Sequence, residues 1–204
     1  MKKIKEIIKK IYYGMLKKKI KNEEFTIISN NCFGGIIYKN FNIKYRTPTC
    51  GTFFMAEDYI KFIYNLKEYL DAEVEEISIE NSKYCEYLKK IKYDKPIGKI
   101  KDIEVFFMHY DTFDEAFEKW NRRKKRVVWN NIIYKFNDQN LCGYKHLKLF
   151  NDFQANKKIL FTAKKYEDFN TIQLKKYENY EYVLSDVNYR DYKNVINIFE
   201  IINS

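Results

Sequence analysis

Cys32 follows the run "EFTIISNN" and precedes, after Phe33, the pair Gly34 and Gly35, in a chain with only six glycines among 204 residues. The pattern predicts a strand that ends, two asparagines that turn the chain, and a thiol delivered to the start of a helix. Backbone N–H groups at a helix start lack intrahelical acceptors, and they favour a thiolate. Gly34 and Gly35 remove side chains from beside the sulfur, so a substrate or a neighbouring strand can come close. This suits a nucleophile whose intermediate is held by N–H donors, with Asn30 and Asn31 able to donate to the same oxyanion or to orient a base. Two other readings use the same residues. A buried cysteine beside a tight turn packs as a small hydrophobe. Alternatively, "SNNCFGG" is a phosphate-binding turn at a helix N-terminus, though it has neither the lysine of a P-loop nor the spacing of a dinucleotide-binding fingerprint.

His109 is the candidate base. It ends the buried-type run "DIEVFFMH", and Asp111 follows, either to orient the imidazole or simply to form the turn into Thr112. In parallel α/β sheets the functional crevice lies at the carboxyl ends of strands, so Cys32 and His109 are expected to face each other. The stretch "EKWNRRKKRVVWNN" comes next. The chain has five arginines; Arg122, Arg123 and Arg126 fall here, flanked by its two tryptophans, Trp120 and Trp129. Where lysine is abundant, clustered arginine points to the planar fork that grips phosphate or carboxylate bidentately. Trp120, Arg122, Arg123 and Arg126 are therefore substrate-binding candidates, together with Asn30, Asn31, Gly34 and Gly35. The plain alternative is a solvated helix face, the reading adopted for Lys124 and Lys125. His146, in "CGYKHLKLF", is read as a surface residue, and Cys50, Cys85 and Cys142 are assigned no chemistry.

Composition limits the partners. Net charge is +10, but nine lysines and one glutamate occupy residues 1–21, leaving 29 basic and 27 acidic side chains in the rest. A near-neutral body with one basic end is unlike a nucleic-acid groove, so no nucleic-acid partner is expected. Four cysteines without CxxC spacing and two histidines offer no close-spaced zinc ligands, and neither a metal nor another cofactor is expected. No apolar run approaches the roughly 18 residues of a membrane span, and no signal-peptide h-region stands out. A cytoplasmic protein with reduced thiols is expected. Ile4, Ile7, Ile8, Ile11, Met15, Leu16 and Ile20 recur at helical period with lysines covering the rest. Such a helix either lies on an anionic membrane, here the inner face of the cytoplasmic membrane, or docks on its own domain.

The elements that must position the site follow from period and punctuation. Residues 1–22 are predicted as a basic amphipathic helix and 23–204 as a single α/β domain. A strand runs into the Cys32 turn, and a short helix follows over 35–40. "IKYRTPTCGTFF" reads as a loop or edge strand, 56–70 as a helix, 80–91 as a second helical piece, and 103–108 as a buried strand. Thr112 and Glu115 open a helix to about Arg126 through a capping-box pattern. Strands at 131–136, 158–162 and near 180–185 then alternate with helices at 140–150 and 190–202. This alternation predicts a mostly parallel sheet with helices on both faces.

Three quoted stretches also resemble a known family. "FTIISNNCFGGIIYKNFNIKYRTPTCGTFFMAEDYIKFIYNLKEYL", "GKIKDIEVFFMHYDTFDEAFEKWNRRKKRV" and "KKILFT", between residues 25 and 165, are similar to a bacterial exopolysaccharide-biosynthesis family built on a domain of unknown function. Phe33, where that pattern implies Trp, and Thr47, where it implies Ser, depart from it. The resemblance implies a role in exopolysaccharide or capsule assembly. The order Cys32, His109, Arg122 to Arg126 is more distantly similar to papain-like cysteine acyltransferases. Together they imply a transferase in which Cys32 carries an acyl group as a thioester, His109 acts as base, and the arginines hold a phosphate. The acceptor is then a sugar or lipid-linked sugar, and the donor an acyl-CoA or acyl carrier protein. A nucleotide-sugar glycosyltransferase and a non-catalytic membrane-associated accessory module are the alternatives; no DxD-like pair supports a metal-dependent glycosyltransferase.

Overall fold

Alternating apolar positions on short strands set the layering of this molecule. The computed structural model describes residues 2–204. In chain order it contains α1 (Lys2–Lys17), β1 (Thr26–Ser29), α2 (Phe33–Phe41), α3 (Ala56–Tyr64), α4 (Leu66–Asp71), β2 (Glu75–Ile77), α5 (Cys85–Lys90), β3 (Ile97–Ile100) and β4 (Ile103–Phe106). There follow α6 (Phe113–Lys124), β5 (Ile132–Asn137), α7 (Tyr144–Asp152), β6 (Lys158–Thr162), β7 (Ile172–Gln173), α8 (Tyr189–Tyr192) and α9 (Ile198–Asn203).

Strands β1, β5, β6 and β7 form one parallel sheet in that order. Because successive side chains point to opposite faces, Ile28, Phe136 and Leu160 join one core with residues of α3, α6 and α7. Ile27, Ile133, Ile159 and Phe161 join the other, with residues of α2, α8 and α9. The α/β architecture with helices on both faces is as expected. The sheet is less uniform than expected, since β2, β3 and β4 form a separate antiparallel sheet. The strand that leads to His109 is β4, which belongs to this second sheet. The reason is local: Lys101 and Asp102 alone link Ile100 to its partner Ile103, and a link that short permits only an antiparallel return. The Phe53–Phe54 segment ties the two sheets together: Phe53 bridges to Phe106 of β4, with ring centroids 4.7 Å apart, and the Phe54 N–H donates to the Asn30 carbonyl just past β1 (3.0 Å).

Other expectations shift in detail. The helix predicted over 56–70 breaks at Asn65 (φ −129°, ψ 40°), where α3 gives way to α4. Residues 180–185 form no strand, and the last place in the sheet goes to β7. There, the Val183 N–H donates to the Asp138 carboxylate at 2.7 Å instead of to a neighbouring strand. The closing helix is two short pieces, α8 and α9. The Thr112 cap is present, its hydroxyl accepting from the Glu115 N–H at 3.3 Å.

Helix α1 does not present one apolar face. Tyr13, Leu16 and Ile20, the last just past its end, pack against the core beneath α2 and α9, with Tyr13 edge-on to Phe41 at 5.6 Å. Ile4, Ile7, Ile8, Ile11 and Met15 lie on another side and stay 57–62% exposed. At the far edge of the parallel sheet, β1 has no strand beyond it among the described residues. The Ile27 and Ser29 N–H groups donate to the Tyr38 hydroxyl (3.2 Å) and the Thr49 hydroxyl (3.4 Å).

Candidate active site

The carboxyl ends of β1 and β5 carry amides and charges instead of apolar side chains, and being buried these groups must satisfy one another. Lys135, on β5 opposite Ser29 of β1, is wholly buried and ion-paired with Asp186, which is equally buried. Its ammonium also donates to the side-chain carbonyls of Asn31 (3.0 Å) and Asn30 (3.3 Å). An ammonium offers only donors, so both amides must turn their oxygens toward it. Their NH2 groups then point elsewhere, Asn31 to Asp186 and Asn30 to the Asn137 side chain, each at 2.8 Å. This corrects the expectation that Asn30 and Asn31 donate to an oxyanion, because their donors are spent inside the network. Burial lowers the pKa of Lys135, and the Asp186 carboxylate opposes that shift.

Cys32 follows at once and caps α2. The Asn31 side chain accepts from the Phe33 N–H (3.1 Å) and the Ser29 hydroxyl from the Gly34 N–H (3.3 Å). Among the described residues the Gly35 N–H takes no acceptor. Gly34 faces away from the thiol: a Cβ there would lie 3.1 Å from the Ile27 side chain and carbonyl, so its role is to let α2 lie on β1.

Around the thiol, four parts of the chain line a cavity of about 350 Å³. Helix α2 gives Cys32, Gly35, Ile36 and Lys39; the loop after it gives Tyr45, Cys50 and Gly51. His109 and Tyr110 come from beyond β4, and Lys119 and Arg123 from α6. Of the predicted site, Cys32, Gly35, His109 and Arg123 therefore share one wall. His109 reaches it by a route other than the expected one, through its backbone N–H bond to the Gly51 carbonyl (3.1 Å), not through a common parallel sheet.

The thiol itself differs from expectation. Burial pushes Cys32 up to about 11, against a smaller downward pull from Lys135. The dry surroundings outweigh the helix start, so the resting group is a thiol and not a thiolate. Its sulfur lies 3.8 Å from the Thr52 carbonyl, and among the described residues no hydrogen bond joins it to His109. Cys50, assigned no chemistry from the sequence, shares the wall and is pushed up to about 12 by burial. Arg123 lies over the Tyr45 ring at 4.8 Å and donates to the Cys50 carbonyl (3.3 Å) and the Tyr110 hydroxyl (2.5 Å). Lys119 pairs with Glu115, and Lys39 pairs with no acid among the described residues.

The remaining candidates lie elsewhere. Asp111 is exposed, bonds Lys95 at 2.9 Å and lines a different cavity, so it does not orient His109. Trp120 is 1% exposed in the core between Phe62 and Phe107. Arg122 pairs with Glu118 one turn away on α6 (2.8 Å), and Arg126, beyond α6, is not part of the wall. His146 is buried and not at the surface. Its Nδ1 accepts from the Gly143 N–H (2.9 Å), and its Nε2 sits 3.1 Å from the Glu57 carboxylate. Among the described residues no group of acidic, histidine and cysteine side chains is arranged to hold a metal ion.

Sequence reasoning missed Lys135 and Asp186. Lys135 had a readable signal: in "NIIYKFND" it stands two places after Ile133, on the same inward-facing side of a buried strand. Asp186, in irregular chain, had none.

The family model described as "Domain of unknown function (DUF1919)" matches residues 3–203. An uncharacterized protein of Haemophilus influenzae is 28% identical over 156 residues, which cover 76% of this chain and 70% of that protein.

Proposed function

The chain belongs to the DUF1919 family, and we propose that it is a transferase acting on an anionic, phosphate-bearing substrate in the cavity of Cys32, His109 and Arg123. One observation carries this reading: the wall holds His109, Lys39 and Arg123, with Lys119 beside its partner Glu115, around a thiol, and no carboxylate is among its described lining residues. A pocket lined by one sign of charge with low-dielectric walls concentrates ligands of the opposite sign. Arg123, already stacked on Tyr45, presents its fork at little further entropic cost.

In the acyl-transfer form of the proposal, the Cys32 sulfur attacks the carbonyl carbon of an acyl-CoA or acyl carrier protein. The Sγ–C bond forms, the donor C–S bond breaks, and His109 relays the thiol proton to the departing sulfur. A sugar hydroxyl, free or lipid-linked, then attacks the thioester. The O–C bond forms, the C–Sγ bond breaks, and His109 returns the hydroxyl proton to Sγ. The Gly35 N–H is the donor left available for the oxyanion. The protonated state of Cys32 favours a second reading, glycosyl transfer from a nucleotide sugar, in which the same cations grip the diphosphate and no thiolate is needed.

Intact-mass measurement after incubation with acyl-CoA donors, in wild type and Cys32→Ala, separates the two. An acyl adduct confined to wild type supports the thioester. Turnover of a sugar nucleotide that persists in Cys32→Ser supports glycosyl transfer. Failure of pyrophosphate to bind more tightly to wild type than to Arg123→Ala removes the basis of both.

For its place in the cell, exopolysaccharide or capsule assembly at the inner face of the cytoplasmic membrane is the proposed setting. Among the described residues no helix is long and apolar enough to cross a membrane. What supports a peripheral position is the outward stripe of α1, Ile4, Ile7, Ile8, Ile11 and Met15, on a helix whose Lys9 and Lys10, with Lys18 just past its end, are exposed. An apolar stripe bordered by lysines suits an anionic lipid interface. An accessory module without catalysis would use this stripe alone.

A further inference from the structure

At the opposite end of the parallel sheet, where the chain enters β1, β5 and β6, two hollows adjoin. One, of about 530 Å³, is lined by residues that include Asn22, Glu24 and Ser204. The other, of about 280 Å³, is lined by Trp129, Tyr134 and Gln154 among others. Both are also lined by Asn130, Asn131, Asn156 and Lys157, so the two form one groove.

Its chemistry is unlike that of the Cys32 cavity. Trp129 is 51% exposed, whereas Trp120, the other tryptophan, is 1% exposed. Trp129 makes no aromatic pair among the described residues, and a tryptophan ring left open beside a groove is a large apolar face without a partner. The charged side chains nearby are few. Lys157 donates to the Asn131 side chain (2.7 Å), and Glu24 is paired with Arg46. Asn131 is spent as well, its NH2 donating to the Glu24 carbonyl (2.9 Å). The Asn130 and Asn156 amides, by contrast, take no side-chain partner among the described residues, and both are exposed.

An open aromatic face beside free amides, with a single lysine whose ammonium is held by a neutral amide, defines a ligand class. Amides both donate and accept, as hydroxyl groups do, and the negative face of an aromatic ring attracts polarised C–H groups. A pyranose ring offers both complements, hydroxyls at its rim and C–H groups on its face. A nucleic acid or polyphosphate would need several cations, and the groove's lining offers one lysine. We propose that this groove binds a neutral oligosaccharide, with a sugar ring stacked on Trp129 and its hydroxyls paired with Asn130 and Asn156. This site is independent of the thiol chemistry at the other end of the sheet.

Trp129 supplies its own reporter, because Trp120 is shielded and contributes a constant background. The full chain is titrated with maltohexaose, cellohexaose and chitotetraose while tryptophan emission is followed, and calorimetry is run in parallel. The expected result is a saturable blue shift with at least one of them, with a Kd on the order of 0.1–1 mM for so open a groove. Trp129→Ala should lose the shift and the calorimetric signal, while Trp129→Phe, which keeps an aromatic face, should retain measurable heat. Asn130→Ala with Asn156→Ala should weaken binding by about tenfold. Unchanged thermal melting of these exposed variants confirms that folding is not the cause. The proposal is overturned if no saccharide gives a saturable response, if binding survives Trp129→Ala, or if a single-stranded oligonucleotide binds and the saccharides do not.

Discussion

Replacing Lys135 by methionine removes the ammonium that faces Asp186 and leaves its carboxylate with the NH2 groups of Asn31 (2.8 Å) and Asn137 (2.7 Å) as its side-chain donors. The converse change, Asp186→Asn, leaves a buried ammonium with two amide oxygens at 3.0 and 3.3 Å. A stranded buried charge costs roughly 3–5 kcal/mol, a large share of the about 5–15 kcal/mol that holds a domain together. Removing both charges is a different matter, since neutral replacement of a buried pair is often close to neutral. The residual cost comes from Asn30 and Asn31, whose carbonyls each lose a donor at about 1 kcal/mol apiece. Each single variant should therefore lose roughly 3–5 kcal/mol and Lys135→Met/Asp186→Asn only about 2 kcal/mol. Urea unfolding at neutral pH, followed by circular dichroism and extrapolated linearly, measures all four proteins. If the two single losses simply add in the double variant, the pair is not a coupled unit and the account of the Asn30–Asn31 network fails.

Four further outcomes follow from the geometry. A rise in Cys32 from an ordinary 9.0 to about 11 leaves it roughly a hundredfold less thiolate at neutral pH than an unburied thiol. Iodoacetamide should modify Cys32 of the unliganded protein that much more slowly than a peptide cysteine, and a matching rate would refute the burial argument. The sign for stability is fixed by the same shift. The folded state holds this proton more tightly, so its contribution is intact below pH 9.0 and is lost as pH climbs toward about 11, visible as a falling urea midpoint. Gly51 has φ +74°, and a Cβ there would lie 3.1 Å from the Tyr110 ring and 3.2 Å from the His109 Cβ. Gly51→Ala should cost roughly 1–2 kcal/mol in backbone strain alone and disturb both cavity side chains; an unchanged melting temperature would contradict the strained turn. On α1 the two sides should separate by assay. Ile7→Asp with Ile11→Asp should abolish sedimentation with anionic liposomes at unchanged melting temperature, whereas Tyr13→Ala should lower that temperature. Undiminished sedimentation of the aspartate variant would sink the membrane reading.

Much of the parallel layer was legible because it is local. The "KILFT" and "NIIYKF" runs carry their own apolar pattern, and Thr112 with Glu115 announces a helix start within four residues. The second sheet was not legible from the "DIEVFFMH" strand itself, since a buried antiparallel strand and a buried parallel one read alike. The two-residue link at Lys101 and Asp102 held that information. At the site, strand ends and glycines drew attention to Cys32 and His109, which line one cavity. The character of the thiol could not be read the same way, because desolvation depends on what the fold brings beside the sulfur from distant parts of the chain, such as the Thr52 carbonyl at 3.8 Å. The arginine cluster shows the limit of a composition signal. Helical period sends Arg123 to the cavity and Arg122, one residue earlier, to a surface pair with Glu118.

The hydroxyl-capped edge of β1 has a consequence for the behaviour of the chain in a crowded solution. Unpaired N–H groups on an apolar edge strand are a template for another chain. Here Tyr38 and Thr49 occupy those groups without offering a strand that could continue the ladder. Thr49 belongs to the same loop that contributes Tyr45, Cys50 and Gly51 to the cavity. The segment that closes over the thiol is thus also the guard against sheet extension between molecules. Whatever ligand settles that loop protects against aggregation, and whatever peels it away exposes the first rung of an intermolecular sheet.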